Sequence, residues 1–142
     1  MIEDFVISTD KSKLDIQTIY KYLCERSYWA KGRTLETVRK SIDKSLCFGM
    51  YDHDHRIVGF GRVVTDYAVF AYILDVFILE EHRGNGLGKK LVDYITNFPE
   101  LKDIRRWQLA TADAHGLYER FGFVGLAAPG KHMEKVIYDQ TR

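Results

Sequence analysis

Cysteine is scarce: Cys24 and Cys47 are the only two in the chain. They form no C-x-x-C pair, and two thiols alone cannot build a zinc cluster, so no metal is expected. A disulfide-stapled secreted domain is disfavoured, and reduced, cytoplasmic surroundings are the simpler expectation. Nowhere do about 18 apolar residues run together, so no membrane-spanning helix is expected. The opening Met1-Ile2-Glu3-Asp4 is acidic and lacks the apolar stretch of a secretory signal. Charge of one sign is missing too. The net is +1, whereas a nucleic-acid module usually shows a basic patch and a pI above about 9. Neither nucleic acid nor a membrane is therefore an expected partner, and any anion must be held by a local arrangement. Low-complexity segments, internal repeats and linkers are also lacking. What remains is a soluble composition, 46% apolar and 29% charged, with nine Tyr and eight Phe to fill a core and line a pocket. At 142 residues the chain fits one domain over 1–142.

Hydrophobic periodicity divides the chain into short elements. Phe5 to Ser8 reads as a strand, and Leu14, Ile16, Ile19, Tyr20 and Leu23 recur at helical spacing up to about Arg26. Ser27 to Arg33 breaks that pattern as a loop, and Thr34 is placed to cap a second helix through Val38 and Ile42. Leu46 to Tyr51 and Arg56 to Thr65 read as a hairpin around the polar turn Asp52-His53-Asp54-His55. Ala68 to Leu79 is a long apolar run, the mark of a central strand buried on both faces. Its one charge, Asp75, is conspicuous. A helix from Leu87 ends at Pro99, and Trp107 to Thr111 reads as a strand. Ala114 to Phe121 forms a short helix stopped by Gly122, and closing strands follow from Phe123 to Tyr138 around Pro129-Gly130. The order β-α-α-β-β-β-α-β-α-β predicts a mixed α/β domain built on one sheet.

The strongest local signal is Arg83-Gly84-Asn85-Gly86-Leu87-Gly88 between the central strand and a helix. Glycines there let backbone N–H groups point into one concavity, and the helix dipole adds to them, which suits a phosphate. Arg83 and Lys89 bring charge beside it. The spacing fails both the dinucleotide G-x-G-x-x-G and the Walker pattern, because the deciding position in each is Lys89. What is left is R-x-x-G-x-G, read as Arg83, Gly86 and Gly88.

That loop resembles the pyrophosphate loop of the GNAT acetyltransferase superfamily, whose pattern is [RQ]-x-x-G-x-[GA]. A second block, Ala114-His115-Gly116-Leu117-Tyr118-Glu119-Arg120-Phe121-Gly122-Phe123, resembles that family's A-x-x-L-Y-x-x-x-G-F segment. The two lie in the expected order, and the resemblance is sharp from about Ala71 to Phe123. It implies a GNAT-like sheet, mixed and mostly antiparallel, flanked by helices. It also implies direct transfer of an acetyl group from acetyl-CoA to a primary amine. The loop from Arg83 to Lys89, with Gly84, Asn85 and Leu87, would bind the cofactor together with the backbone of Val76, Phe77 and Ile78. Tyr118 takes the family's tyrosine position as general acid. Its phenol, with an ordinary pKa of about 10, stays protonated where a thiol near 8.5 does not. Asp75 is a candidate base, since an unpaired buried carboxylate is costly, or equally a structural partner for an amide or an arginine. His115, Glu80 and water are the other candidates. Tyr28 and Trp29 fall where the family shapes its acceptor pocket, and would either cover a substrate or staple the loop to the core. A homodimer through a Val136-Ile137-Tyr138 edge is a further expectation. The rival reading is a CoA-binding sensor that kept the fold and lost catalysis.

Overall fold

The computed structural model describes residues 1–137. Its sheet has five strands in the order β1 (Val6–Ser8), β2 (Leu46–Tyr51), β3 (Ile57–Thr65), β4 (Phe70–Ile78) and β5 (Arg106–Gln108). The first four are antiparallel neighbours, whereas β5 lies parallel to β4. A parallel pair needs a crossover, and α3 (Leu87–Thr96) supplies it.

Polar side chains set the helix boundaries. The Asp15 carboxylate accepts from the Thr18 amide at 3.1 Å and starts α1 (Ile16–Lys21). The helical pattern expected up to Arg26 does continue, but its last turn, Tyr22–Arg26, widens into π geometry. Thr34 caps α2 (Leu35–Asp43) by accepting from the Thr37 amide at 3.2 Å. At the hairpin turn Asp52 accepts from the amides of Asp54 and Arg56, each at 2.9 Å.

The sheet is covered on both faces. Ile19, Leu23, Val38 and Ile42 from α1, its π turn and α2 pack with Phe60 and Phe77. On the other face Leu87, Leu91 and Ile95 of α3 pack with Val63, Ala71, Ile73 and Ile78. Ile73 and Phe77 are four residues apart on β4, an even spacing that should put them on one face. They lie on opposite faces because the strand bulges between them. Phe60 pairs with Phe77 and Arg62 with Leu74, so Asp75 and Val76 together oppose Gly61. Asp75 sits at this bulge with φ 55, a left-handed conformation that Asp tolerates better than most residues.

Past the glycine loop the chain departs from expectation in two places. β5 ends at Gln108, so Leu109 to Thr111 leave the sheet. β4 runs on to Ile78 with β3 still at its other edge but no strand on its β5 side, and a wedge opens between β4 and β5. The closing strands expected from Phe123 are also not found among the described residues. Among the described residues the segment 123–137 forms no strand, Pro129–Lys131 is a 3-10 turn, and Met133 and Ile137 are exposed. Glycine and proline at 125, 129 and 130 interrupt the alternation a strand needs. Val136 and Ile137 therefore present no strand edge to a second copy, and Tyr138 lies outside the described residues.

Candidate active site

The wedge between β4 and β5 holds two joined cavities, a groove of 540 Å³ along the glycine loop and a chamber of 300 Å³ beside the bulge. They share Tyr28, Trp29, Val76, Asp113, Ala114 and Tyr118. A larger open hollow of 720 Å³ adjoins the groove at Tyr22, Arg26 and His82 but reaches none of the six shared residues.

The groove begins where β4 ends. A 3-10 turn, Glu80–His82, leads into the loop, and Gly84 (φ 83) and Gly86 (φ 79) take left-handed conformations closed to most side chains. Gly86 is the N-cap of α3, so the loop delivers its amides to a helix N-terminus. Arg83 is held in place: its Nε donates to the Ile78 carbonyl at 3.0 Å and its Nη2 donates to the Tyr22 hydroxyl. Tyr22 in turn stacks on Phe77, with ring centroids 4.0 Å apart. Lys89 is exposed on α3, while Lys90 ties down the N-terminal turn by donating to the Ile2 carbonyl at 2.9 Å. The groove wall includes Val76, Phe77, Ile78 and Gly88, so every residue offered for cofactor contact except Asn85 and Lys89 lines it.

The chamber is aromatic and fixed by one carboxylate. Asp75 accepts from Trp29 Nε1, Arg33 Nη1 and Arg62 Nε, each at 2.9 Å. Its side chain is 1% exposed. These contacts are those of the structural partner that the sequence left open, and they occupy both oxygens. Arg62 also donates to the Ser45 hydroxyl at 3.0 Å. Tyr28 both faces the cavities and staples the loop, because its hydroxyl accepts from the Ala112 amide at 2.8 Å. The loops on the two sides of the wedge are thereby joined.

Tyr118, on α4 (His115–Glu119), stands where groove and chamber meet. It is 8% exposed, and its hydroxyl makes no hydrogen bond among the described residues. Burial, reinforced by Tyr28 and the Asp113 carboxylate, pushes its pKa up to about 12. The other base candidates stand apart: Glu80 pairs with Arg26 at 3.6 Å, and His115 is exposed on α4 outside both cavities. Sequence reasoning missed Arg33, Arg62 and Asp113. The isolated acid in an apolar strand was a signal for its partners' existence, yet nothing in their spacing says which arginines reach it.

No group of His, Cys, Asp or Glu among the described residues is arranged to hold a metal, and no helix there is long and apolar enough to cross a membrane. Residues 43–125, more than half the chain, match the Acetyltransferase (GNAT) domain family. A structure from Xanthomonas campestris pv. campestris, of a protein described as belonging to the GNAT family, superposes with TM-score 0.90 at 48% identity, covering 94% of this chain and 93% of that one. The GCN5-related N-acetyltransferase 2, chloroplastic, of Arabidopsis thaliana is 32% identical over 87% of this chain and 55% of its own length. A Gibberella zeae protein, FG08082, is 28% identical over 81% of this chain and 76% of its own. The chain belongs to the GNAT family of acetyltransferases.

Proposed function

We propose that this protein moves the acetyl group of acetyl-CoA directly to a primary amine, and that its groove takes the CoA and its chamber the acceptor. The observation that carries this reading is the meeting of the two cavities at Tyr118, beside the bulged strand. A Mycobacterium tuberculosis protein of the same fold, 19% identical with TM-score 0.67, was solved with CoA bound, which is consistent with the assignment.

The groove residues divide the binding. Amides of the loop from Gly84 to Gly88 receive the pyrophosphate at the start of α3. Arg83, held by Tyr22 and Ile78, adds positive charge, and Lys89 and Asn85 stand at the exposed rim. Along Val76–Ile78 the β4 backbone has no strand on its wedge side, so its polar groups are free to meet the pantetheine arm and the thioester. The amine enters from the chamber past Tyr28 and Trp29 and gives up a proton to water at the mouth. Its nitrogen lone pair then bonds to the thioester carbon, the C–S bond breaks, and the nitrogen releases its second proton to water. Tyr118 donates its proton as negative charge grows on sulfur, and is reprotonated from solvent. The burial that holds this phenol protonated also makes a thiolate in the same dry site a stronger base, so the two pKa values move together. Asp75 is assigned to holding Trp29 and Arg33 rather than to taking the amine proton.

A thiol-release assay with acetyl-CoA against a panel of amines tests the proposal. Thiol release that depends on an added amine, with the acetylated amine identified by mass, is the expected result. Tight acetyl-CoA binding without release for any amine would replace the enzyme by a CoA-binding sensor.

A further inference from the structure

The chamber's charges are held apart, and their placement points at an acceptor. One carboxylate, Asp75, lies between two guanidiniums, so the buried cluster carries one positive charge beyond what Asp75 cancels. Side chains there are only 1%, 17% and 11% exposed for Asp75, Arg33 and Arg62, so water does little to screen that excess. The two arginines are not equivalent. Arg62 uses Nε on Asp75 and Nη1 on Ser45 and does not line the chamber. Arg33 does line it and spends one donor, Nη1, on Asp75, leaving the rest of its planar fork without a hydrogen bond among the described residues. The second charge of the chamber is Asp113, which lies beside Tyr118 and pairs with no cation among the described residues. The chamber thus has a cationic corner at Arg33 and an anionic one near the tyrosine, with Tyr28, Trp29 and Tyr72 as aromatic walls.

Resting on the acetyl-transfer reading, we infer that the acceptor is a small amino carboxylate, whose ammonium is drawn to Asp113 and Tyr118 and whose carboxylate docks on the open fork of Arg33. A guanidinium recognises a carboxylate through two parallel N–H···O bonds, stronger than neutral ones and fixed in geometry. The size agrees. At about 30 Å³ of liquid volume per water-sized unit, 300 Å³ holds about ten non-hydrogen atoms, the scale of an amino acid with an apolar side chain. Multi-ring aminosugars exceed that volume, and a polyamine has no carboxylate to offer the open fork of Arg33.

Matched pairs test this: leucine against isoamylamine and valine against isobutylamine, which differ only in the carboxylate. Each is measured twice on the intact protein, as kcat/KM with acetyl-CoA and as equilibrium binding to the CoA-loaded protein by Trp fluorescence. The amino acid is expected to exceed its decarboxylated partner at least tenfold in both. The ratio is expected to collapse towards one in Arg33→Gln and to survive in part in Arg33→Lys, which keeps the charge but not the fork. Equal or reversed ranking in the wild-type protein overturns the inference, even if acetyl transfer to other amines is brisk and Arg33→Gln does not fold. Preferential binding of the amino acid without any transfer would leave the inference standing and remove the transferase reading instead.

Discussion

Replacing Asp75 by Asn isolates the charge at the centre of the wedge. Asn has the same size and also tolerates the left-handed backbone at φ 55, so strain does not enter the comparison. Its neutral amide oxygen can take the place of only one carboxylate oxygen, accepting either from both arginines or from Trp29, while its NH₂ group must face the remaining donor or donors. Two guanidiniums that are 17% and 11% exposed then lose their common counter-charge. Breaking one side of a buried pair costs about 3–5 kcal/mol. Against a total of about 5–15 kcal/mol for a domain, that is a severe loss. Near this chain length each kcal/mol lowers Tm by about 2–4 °C, so a fall of about 10 °C is expected. Urea denaturation with the wild type alongside gives the free energy. Adding Arg62→Gln to Asp75→Asn removes one of the stranded cations and should recover part of it. A loss below about 1 kcal/mol, or a double variant weaker than the sum of the two single changes, would refute the clasp as a source of stability.

Tyr118→Phe keeps the ring against Phe123 and removes only the hydroxyl. At saturating acetyl-CoA, kcat should fall by about 10² to 10⁴ with cofactor affinity nearly unchanged, and a wild-type kcat would sink the general-acid role. A β-carbon at Gly88 would meet Leu117 and Ile78 at ordinary distances, 3.8 and 4.0 Å. Gly88→Val should therefore spare Tm while weakening acetyl-CoA at least tenfold by calorimetry, and unchanged affinity would take the loop out of the site. Burial raises Cys47 from 9.0 to about 11 and Tyr51 and Tyr118 from 10.0 to about 12. Each holds its proton more tightly when folded, so this stabilisation is complete below the unfolded pKa and is lost as pH climbs through the folded one. Unfolding free energy should decline from about pH 9 towards pH 12, and Cys47→Val should delay the onset to about pH 10. Stability that is flat across that window would contradict the burial of these groups.

The sequence by itself determined the order of elements from β1 to α4, because hydrophobic period, capping residues and glycines are local properties read over a few neighbours. It also marked the glycine loop and the Leu-Tyr-x-x-x-Gly-Phe segment, whose spacing carries their geometry with them. The tertiary structure decided the rest. Whether Ile73 and Phe77 share a face depended on a bulge at Asp75, and a bulge is a relation between two strands that no period within one strand records. The stopping of β5 at Gln108 is likewise a matter of where its pairing with β4 ends, opposite Tyr72, and it converts an expected strand end into the wall of a cavity. Asp75 was visible as an oddity, but its role rests on Trp29, Arg33 and Arg62, which are 46, 42 and 13 residues away along the chain. Charges that distant meet only after the loop before α2 folds over the sheet, so their pairing, and the surplus it leaves at Arg33, belongs to the fold alone.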